Sequence, residues 1–207
     1  MAEIDYPAKL SIDYPDRNLN RLTTFFRIFV AIPILIILTL LIGGSYGWHE
    51  GNWSSQIAAG GIVFLPTVLM LLFHKKYPKW WFDWNLAIIR FCTRVSTYVA
   101  LMNDVYPSTD EEQSVHIDLS YPDAQKLSRG LPLVKWIMAI PHYIVLFFLY
   151  IAVYVVVIIA WFAILFTGRY PRQLFDFVVS VYRWSLRVAA YAFILVTDTY
   201  PPFSLSA

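Results

Sequence analysis

Three apolar blocks interrupt the chain, at residues 25–44, 57–73 and 131–166. A helix needs roughly 17–25 apolar residues to cross about 30 Å of hydrocarbon. The first two blocks each fit one such helix, and the third is long enough for two. The pattern therefore predicts an all-α integral membrane protein with two helical hairpins. The predicted transmembrane helices are 22–42 and 57–73 in the first hairpin, and 131–149 and 151–167 in the second.

Each hairpin is followed by a segment with a narrow polar stripe on an apolar helix. In the second segment Asp176, Arg183 and Arg187 recur at helical spacing, so they share one face. Asp83, Arg90 and Arg94 repeat this arrangement in the first segment. The periodicity predicts amphipathic helices over 80–102 and 173–195.

These two helices allow three interpretations. As membrane spans they would bring arginines near mid-helix, at a cost of about 2.5–3.5 kcal/mol each. As interfacial helices they would lie at the cytoplasmic face, with the arginines toward lipid phosphates. As packing devices they would pair Asp83 and Asp176 with arginines of another helix. We favour the interfacial placement. The predicted lipid-headgroup or interface residues are Arg90, Arg94, Arg183, Arg187, Asp83, Asp176, Trp84 and Trp184.

Two short segments show the alternation of a half-buried strand. LSIDYP begins at Leu10 and VHIDLSYP begins at Val115, with apolar residues at every second position. Each segment precedes one of the hairpins. We therefore expect short cytoplasmic β-strands at the start of each half of the chain.

The same elements occur twice along the chain. Tyr14-Pro15-Asp16 recurs as Tyr121-Pro122-Asp123, and the segment at 77–98 recurs without a gap at 170–191. This self-similarity predicts a tandem repeat, with repeat 1 at 1–112 and repeat 2 at 113–207. Because each hairpin crosses the membrane twice, the repeats are expected to be parallel, with their axis along the membrane normal.

The distribution of charge supports a membrane protein and gives its orientation. The chain is 58% hydrophobic and only 14% charged, whereas soluble domains have about 25% charged residues. The loop between the first two predicted helices, 43–56, contains no Lys or Arg. The positive-inside rule then predicts that both termini and the central region face the cytoplasm.

The residue pattern contains no recognisable catalytic or metal-binding motif. The four histidines have no metal-ligand spacing, and the single cysteine, Cys92, excludes an internal disulfide. No nucleotide-binding or hydrolase signature is present. We therefore predict no catalytic residues, no metal, no cofactor and no nucleic-acid partner. Asp104 and Asp198, which precede the repeated Tyr-Pro, are expected to cap turns.

The second half of the chain carries the most specific motifs. These are AIPH at 139–142, GRYPRQLFDF at 168–177, YRWSLRVAAY at 182–191 and TDTYPPF at 197–203. With them the chain resembles the bacterial membrane proteins grouped as domain of unknown function 4389, here as two tandem copies. The first copy departs from the pattern, with AIPI and KKYPKWWFDW in place of the corresponding motifs. The resemblance implies a bacterial inner-membrane location and no established activity.

The leading hypothesis is a non-enzymatic inner-membrane protein. It would bind anionic lipid headgroups or act as an accessory or assembly subunit with protein partners in the membrane. The alternative is a lipid-modifying enzyme with a site at the cytoplasmic interface, and a transporter is less well supported because the apolar spans lack deep ionisable groups. The enzyme hypothesis requires five residues to converge on one cavity: His142, Asp176, Arg183, Arg187 and Asp198.

Overall fold

The computed structural model describes residues 6–42, 70, 77–109, 111–125, 127–128 and 130–206. Below, residues 6–109 are the first half and residues 111–206 the second half. The described residues form two strands and six helices. The strands are β1 (Ala8–Ile12) and β2 (Val115–Leu119), and the helices are α1 (Arg21–Phe25), α2 (Arg27–Ile42), α3 (Lys79–Val99), α4 (Leu131–Met138), α5 (Ile140–Thr167) and α6 (Arg172–Ala192).

Both predicted strands are present, and they pair with each other. β1 and β2 run antiparallel, with Leu10 opposite Ile117 at the centre. Along each strand, buried residues alternate with exposed ones, as a sheet with one covered face requires. β1 packs on α6, and β2 packs on α3. The sheet therefore joins the first half of the chain to the second.

Two arginines cover the outer edges of this sheet. The amide of Asp13 donates to the Ser114 carbonyl at 2.9 Å. Hydrogen-bonded and non-hydrogen-bonded residue pairs alternate along antiparallel strands, so the Leu10–Ile117 pair, three residues from Asp13, is not hydrogen-bonded. The carbonyls of Leu10 and Ile117 consequently point away from the partner strand. Arg183 donates through Nε to the Leu10 carbonyl at 3.2 Å, and Arg90 donates through Nη2 to the Ile117 carbonyl at 3.0 Å.

The predicted amphipathic helices are α3 and α6. Each begins directly after a Tyr-Pro pair and ends three residues earlier than expected. The chain then turns through a leucine in the left-handed conformation, Leu101 with φ of 63° and Leu195 with φ of 61°. The runs after these leucines are irregular in both halves.

A buried cation is held in the same way in each half. Arg27 lies 2.6 Å from Asp104 and 4.0 Å from the ring centre of Tyr98. Lys135, fully buried, lies 2.7 Å from Asp198 and 5.2 Å from the ring centre of Tyr191. These contacts match one another across the two halves.

The two aspartates also accept backbone hydrogen bonds from distant residues. The amide of Asn20 donates to Asp104 at 2.7 Å, and the amide of Ser128 donates to Asp198 at 2.8 Å. The expectation that Asp104 and Asp198 cap local turns is therefore wrong. Each carboxylate instead connects two distant parts of its half. Asp104 connects the segment after α3 to the residue before α1, and Asp198 connects the segment after α6 to a residue shortly before α4.

The second predicted hairpin is absent. Where 131–149 and 151–167 were expected to be separated by a turn, α5 runs continuously from Ile140 to Thr167, with Tyr150 inside it. The physical reason is that no glycine, proline or asparagine follows Pro141 until Gly168, where φ of 78° ends the helix. The break lies earlier, at Ala139 between α4 and α5.

The first predicted hairpin is described only in part. The helix expected over 22–42 is interrupted at Phe26, where α1 ends and α2 begins. The helix expected over 57–73 lies, apart from Met70, outside the described residues. Within them, the segment Leu131–Thr167 is long and apolar enough to cross a membrane. The number of membrane crossings stays a prediction.

We predict that the buried ion pair of the second half contributes strongly to stability. Asp198→Asn leaves the Lys135 ammonium buried without a counter-ion, and breaking such a pair costs about 3–5 kcal/mol. For a chain of this size the expected loss in Tm is roughly 6–20 °C, measured by thermal unfolding in detergent. Asp176→Asn is the control, because its pair with Arg172 is exposed and is worth about 1 kcal/mol or less. Equal effects of the two variants contradict this prediction.

The stability supplied by Asp198 should also depend on pH. Burial alone raises the pKa of this carboxyl, but hydrogen bonds from Lys135 and Ser128 outweigh it and hold the pKa below its ordinary 3.8. Because the folded pKa is depressed, the contribution is present above pH 3.8 and is lost as the pH falls through the lower folded value. The Tm difference between the wild type and Asp198→Asn should therefore shrink below pH 3.8. A Tm difference that persists well below pH 3.8 contradicts the assignment of this stability to the ionised Asp198 carboxylate.

Candidate functional site

The inner arginines of the two amphipathic helices bind the protein's own backbone. Arg94 is 7% exposed and donates to the carbonyl of Ser108 at 2.9 Å. Arg187 is 4% exposed and donates to the carbonyls of Ser204 and Ser206. Burial and the neighbouring charge of Arg183 lower the pKa of Arg187. In both halves this arginine fixes the segment after the repeated Tyr-Pro.

The remaining predicted interface residues are divided between surface and core. Asp83 and Arg90 are exposed, and Trp84 is half exposed. Asp176 is exposed and lies 3.4 Å from Arg172 on its own helix, whereas the packing interpretation would pair it with an arginine of another helix. Trp184 is only 5% exposed. The structure therefore places Trp184 in the core, where it does not face a headgroup layer.

A cleft of about 560 Å³ lies between α3 and the sheet, beside Thr109, Glu112 and Gln113. It brings together Arg90 and Arg94 of the predicted stripe, and with them Lys9 and His116 of the strands. Two carboxylates, Glu112 and Asp118, also line it. His116 is itself fixed by Asp13, whose carboxylate lies 2.9 Å from its Nε2. The cleft therefore gathers several charged side chains on the polar side of the sheet.

Sequence reasoning missed Lys9 and His116 as lining residues. Both occupy the exposed positions of alternating strands, so their outward orientation could be expected from the pattern. Their position beside Arg90 could not, because it depends on how the strands pair. The antiparallel register places Lys9 opposite Asp118 and Ser11 opposite His116.

A second cluster surrounds the buried His142. Trp184 donates through Nε1 to His142 Nδ1 at 3.1 Å. Phe203 stacks on the imidazole, with ring centres 3.9 Å apart and planes at 11°. In the first half, the positions that correspond to His142 and Trp184 are Ile34 and Phe91, which share a small apolar cluster. A hydrogen-bonded pair in one half thus takes the place of an apolar pair in the other.

The residues of the enzyme alternative do not share the described cleft. His142 is buried beneath Phe203, Asp198 pairs with Lys135, and Asp176 is exposed beside Arg172. Arg183 and Arg187 donate to carbonyls of the sheet and of the C-terminal segment. The geometry gives each of the five a separate partner within the chain.

Comparison with known proteins identifies one part of the chain. Residues 132–204 match the family model described as Domain of unknown function (DUF4389). The similarity to this family covers about a third of the chain. The match confirms the predicted resemblance for the second half and finds one copy, whereas two had been expected. No curated protein and no solved structure shows significant similarity to the chain. The DUF4389 match begins within α4 and includes α5, α6 and the His142 cluster.

We predict that His142 and Trp184 are energetically coupled. His142→Ile leaves the indole N–H without an acceptor, and Trp184→Phe leaves Nδ1 without a donor, each at about 1–3 kcal/mol. The double variant recreates the Ile34–Phe91 pair and should cost clearly less than the two single variants together. Thermal unfolding of all four proteins measures the coupling. Additive losses in the double variant contradict a direct interaction.

Proposed function

We propose that this protein is a non-enzymatic, multi-pass protein of the bacterial inner membrane that binds membrane lipid. The apolar helices would contact acyl chains, and the arginine-bearing helices with the small sheet would form a layer at the cytoplasmic face. The chain would consist of two tandem copies of one unit. The proposal rests on the exposed apolar surface, the arrangement of the chain ends and the matching contacts described above.

The exposure of the apolar segment 131–167 carries the proposal. Its most apolar 18-residue window has a mean hydropathy of 2.9, yet only 17% of that window is buried within the protein. Large side chains of α5 face outward along its whole length, including Phe147, Tyr154 and Phe166. An apolar helix that is hydrophobic all round and not covered by protein favours a lipid environment.

The arrangement of the two ends supports a common side for both termini. Tyr6, near the start of the described residues, donates its hydroxyl to the carbonyl of Thr199 at 3.2 Å. Burial raises the pKa of this phenol, which keeps it in the neutral form that donates. β1 of the first half also pairs with β2 of the second. Tyr6 and Thr199 therefore lie close together, which supports two cytoplasmic termini.

The matching contacts support a tandem repeat. Tyr14 donates to the carbonyl of Tyr170, and Tyr121, which is Tyr14's counterpart in the repeat, donates to the carbonyl of Tyr77. Tyr170 and Tyr77 are themselves counterparts. Phe175 and Phe82 pack edge-on against the same two tyrosines, Tyr14 and Tyr121 respectively. Each of these contacts from the first half to the second therefore has an equivalent from the second half to the first, as two-fold related units require.

A role as an accessory subunit is the second candidate. Trp80 is 66% exposed and Trp84 is 50% exposed, and both lie near the start of α3. Tryptophan is enriched at interfaces between proteins as well as at the membrane surface. A protein partner that covers this end of α3 is therefore consistent with the same structure.

Purification of the full chain from membranes in a mild detergent tests the proposal. Lipids and proteins that remain bound are identified by mass spectrometry. We expect retained anionic lipid at a constant molar ratio to the protein. A retained protein that is released by Trp80→Ser with Trp84→Ser supports the accessory role in its place. Recovery of the chain with neither lipid nor protein bound contradicts both roles.

A further inference from the structure

We propose that the cleft between α3 and the polar side of the sheet is a binding site for a phosphodiester headgroup that also bears hydroxyl groups. This inference deepens the proposed lipid-binding function, on which it rests, by naming its headgroup site and the chemistry of the ligand. The volume of about 560 Å³ lies in the range of small-ligand sites, about 300–1,000 Å³.

The positive charges of the cleft supply the phosphate contacts. Lys9 and Arg90 converge from a strand and from α3. Arg94, four residues further along the same face of α3, adds its charge while its Nη1 donates to the Ser108 carbonyl. Arg90 is held in place because one of its N–H groups donates to the Ile117 carbonyl. A guanidinium has five N–H donors, so most of those of Arg90 remain for an oxyanion. Charge-assisted bonds of this kind are the strong ones in phosphate recognition.

The carboxylates of the cleft explain why a plain anion is not the best ligand. Glu112 and Asp118 line the same space and repel a ligand that carries only negative charge. Hydroxyl groups beside the phosphate would instead donate to these carboxylates. A glycerol-bearing phosphodiester, such as the headgroup of phosphatidylglycerol, presents both features in one group.

The inner arginines are alike in the two halves, because Arg94 donates to the carbonyl of Ser108 and Arg187 to the carbonyls of Ser204 and Ser206. Arg183, the counterpart of Arg90, is partly buried against the Leu10 carbonyl and does not line the cleft. The chain therefore offers a matched control, because the two outer arginines make the same sheet contact and differ in the cleft.

Binding of phosphatidylglycerol to the full chain in detergent tests the site, with phosphatidylcholine as the neutral comparison. Native mass spectrometry gives the bound fraction and the apparent Kd. Arg90→Gln and Lys9→Gln should each weaken phosphatidylglycerol binding about tenfold. Arg183→Gln, which removes the equivalent contact at the other sheet edge, should leave it unchanged. Tm values of the variants separate loss of binding from loss of folding.

A change in the carboxylates and a competing ligand sharpen the test. Because the carboxylate of Glu112 should accept a headgroup hydroxyl, Glu112→Gln should narrow the preference for phosphatidylglycerol over phosphatidic acid, which has no glycerol headgroup. Glycerol 1-phosphate distinguishes the source of the ligand. If glycerol 1-phosphate displaces phosphatidylglycerol at a similar concentration, a soluble phosphate ester occupies the same site. If it does not displace the lipid, the ligand is a membrane lipid.

The assignment of the cleft is overturned if Arg90→Gln and Arg183→Gln weaken phosphatidylglycerol binding equally, or if Arg90→Gln does not weaken it. Lipid retained equally by wild type and Arg90→Gln overturns the cleft but leaves the proposed lipid-binding function intact. A chain that retains no lipid, but binds glycerol 1-phosphate in an Arg90-dependent way, contradicts the proposed function and supports the cleft.

Discussion

The pairing of β1 with β2 is the interaction on which the described structure depends. A two-stranded sheet is at best marginally stable by itself, and here each strand has one open edge. Arg183 of the second half covers the edge of β1, and Arg90 of the first half covers the edge of β2. The helix of each half thus completes the strand of the other. Without this exchange, both edges would present unpaired carbonyls to solvent or to other chains.

A different set of contacts, made within each half, explains why charged groups lie so deep in a chain with few of them. Lys135 and Arg27 are buried because an aspartate and a tyrosine ring meet each cation where the last helix of its half ends. The carboxylate then also accepts the backbone amide near the first helical segment. One acidic side chain therefore connects three parts of each half, and its removal affects all of them together.

The parts of the fold that depend on local periodicity could be predicted from the sequence. The alternation around Leu10 and Ile117 identified both strands, and the spacing of Arg183 and Arg187 identified α6 together with its counterpart α3. The partners of those arginines could not be predicted, because backbone carbonyls leave no signature in a sequence. The same limit applied to Lys9 in the cleft. The continuous α5 was missed for a different reason, since apolar length was interpreted as two spans without any residue that favours a turn.

The His142–Trp184 pair shows how two matching environments can diverge when they belong to one polypeptide. In an assembly of identical subunits, any substitution appears in every copy, so a hydrogen-bonded pair cannot replace an apolar one on one side alone. Here Ile34 and Phe91 remain apolar while the other side has a buried imidazole and indole. Because both halves belong to one chain, each half can have side chains that the other lacks. The first half has a cleft beside its outer arginine, Arg90, while the outer arginine of the second half, Arg183, does not line that cleft.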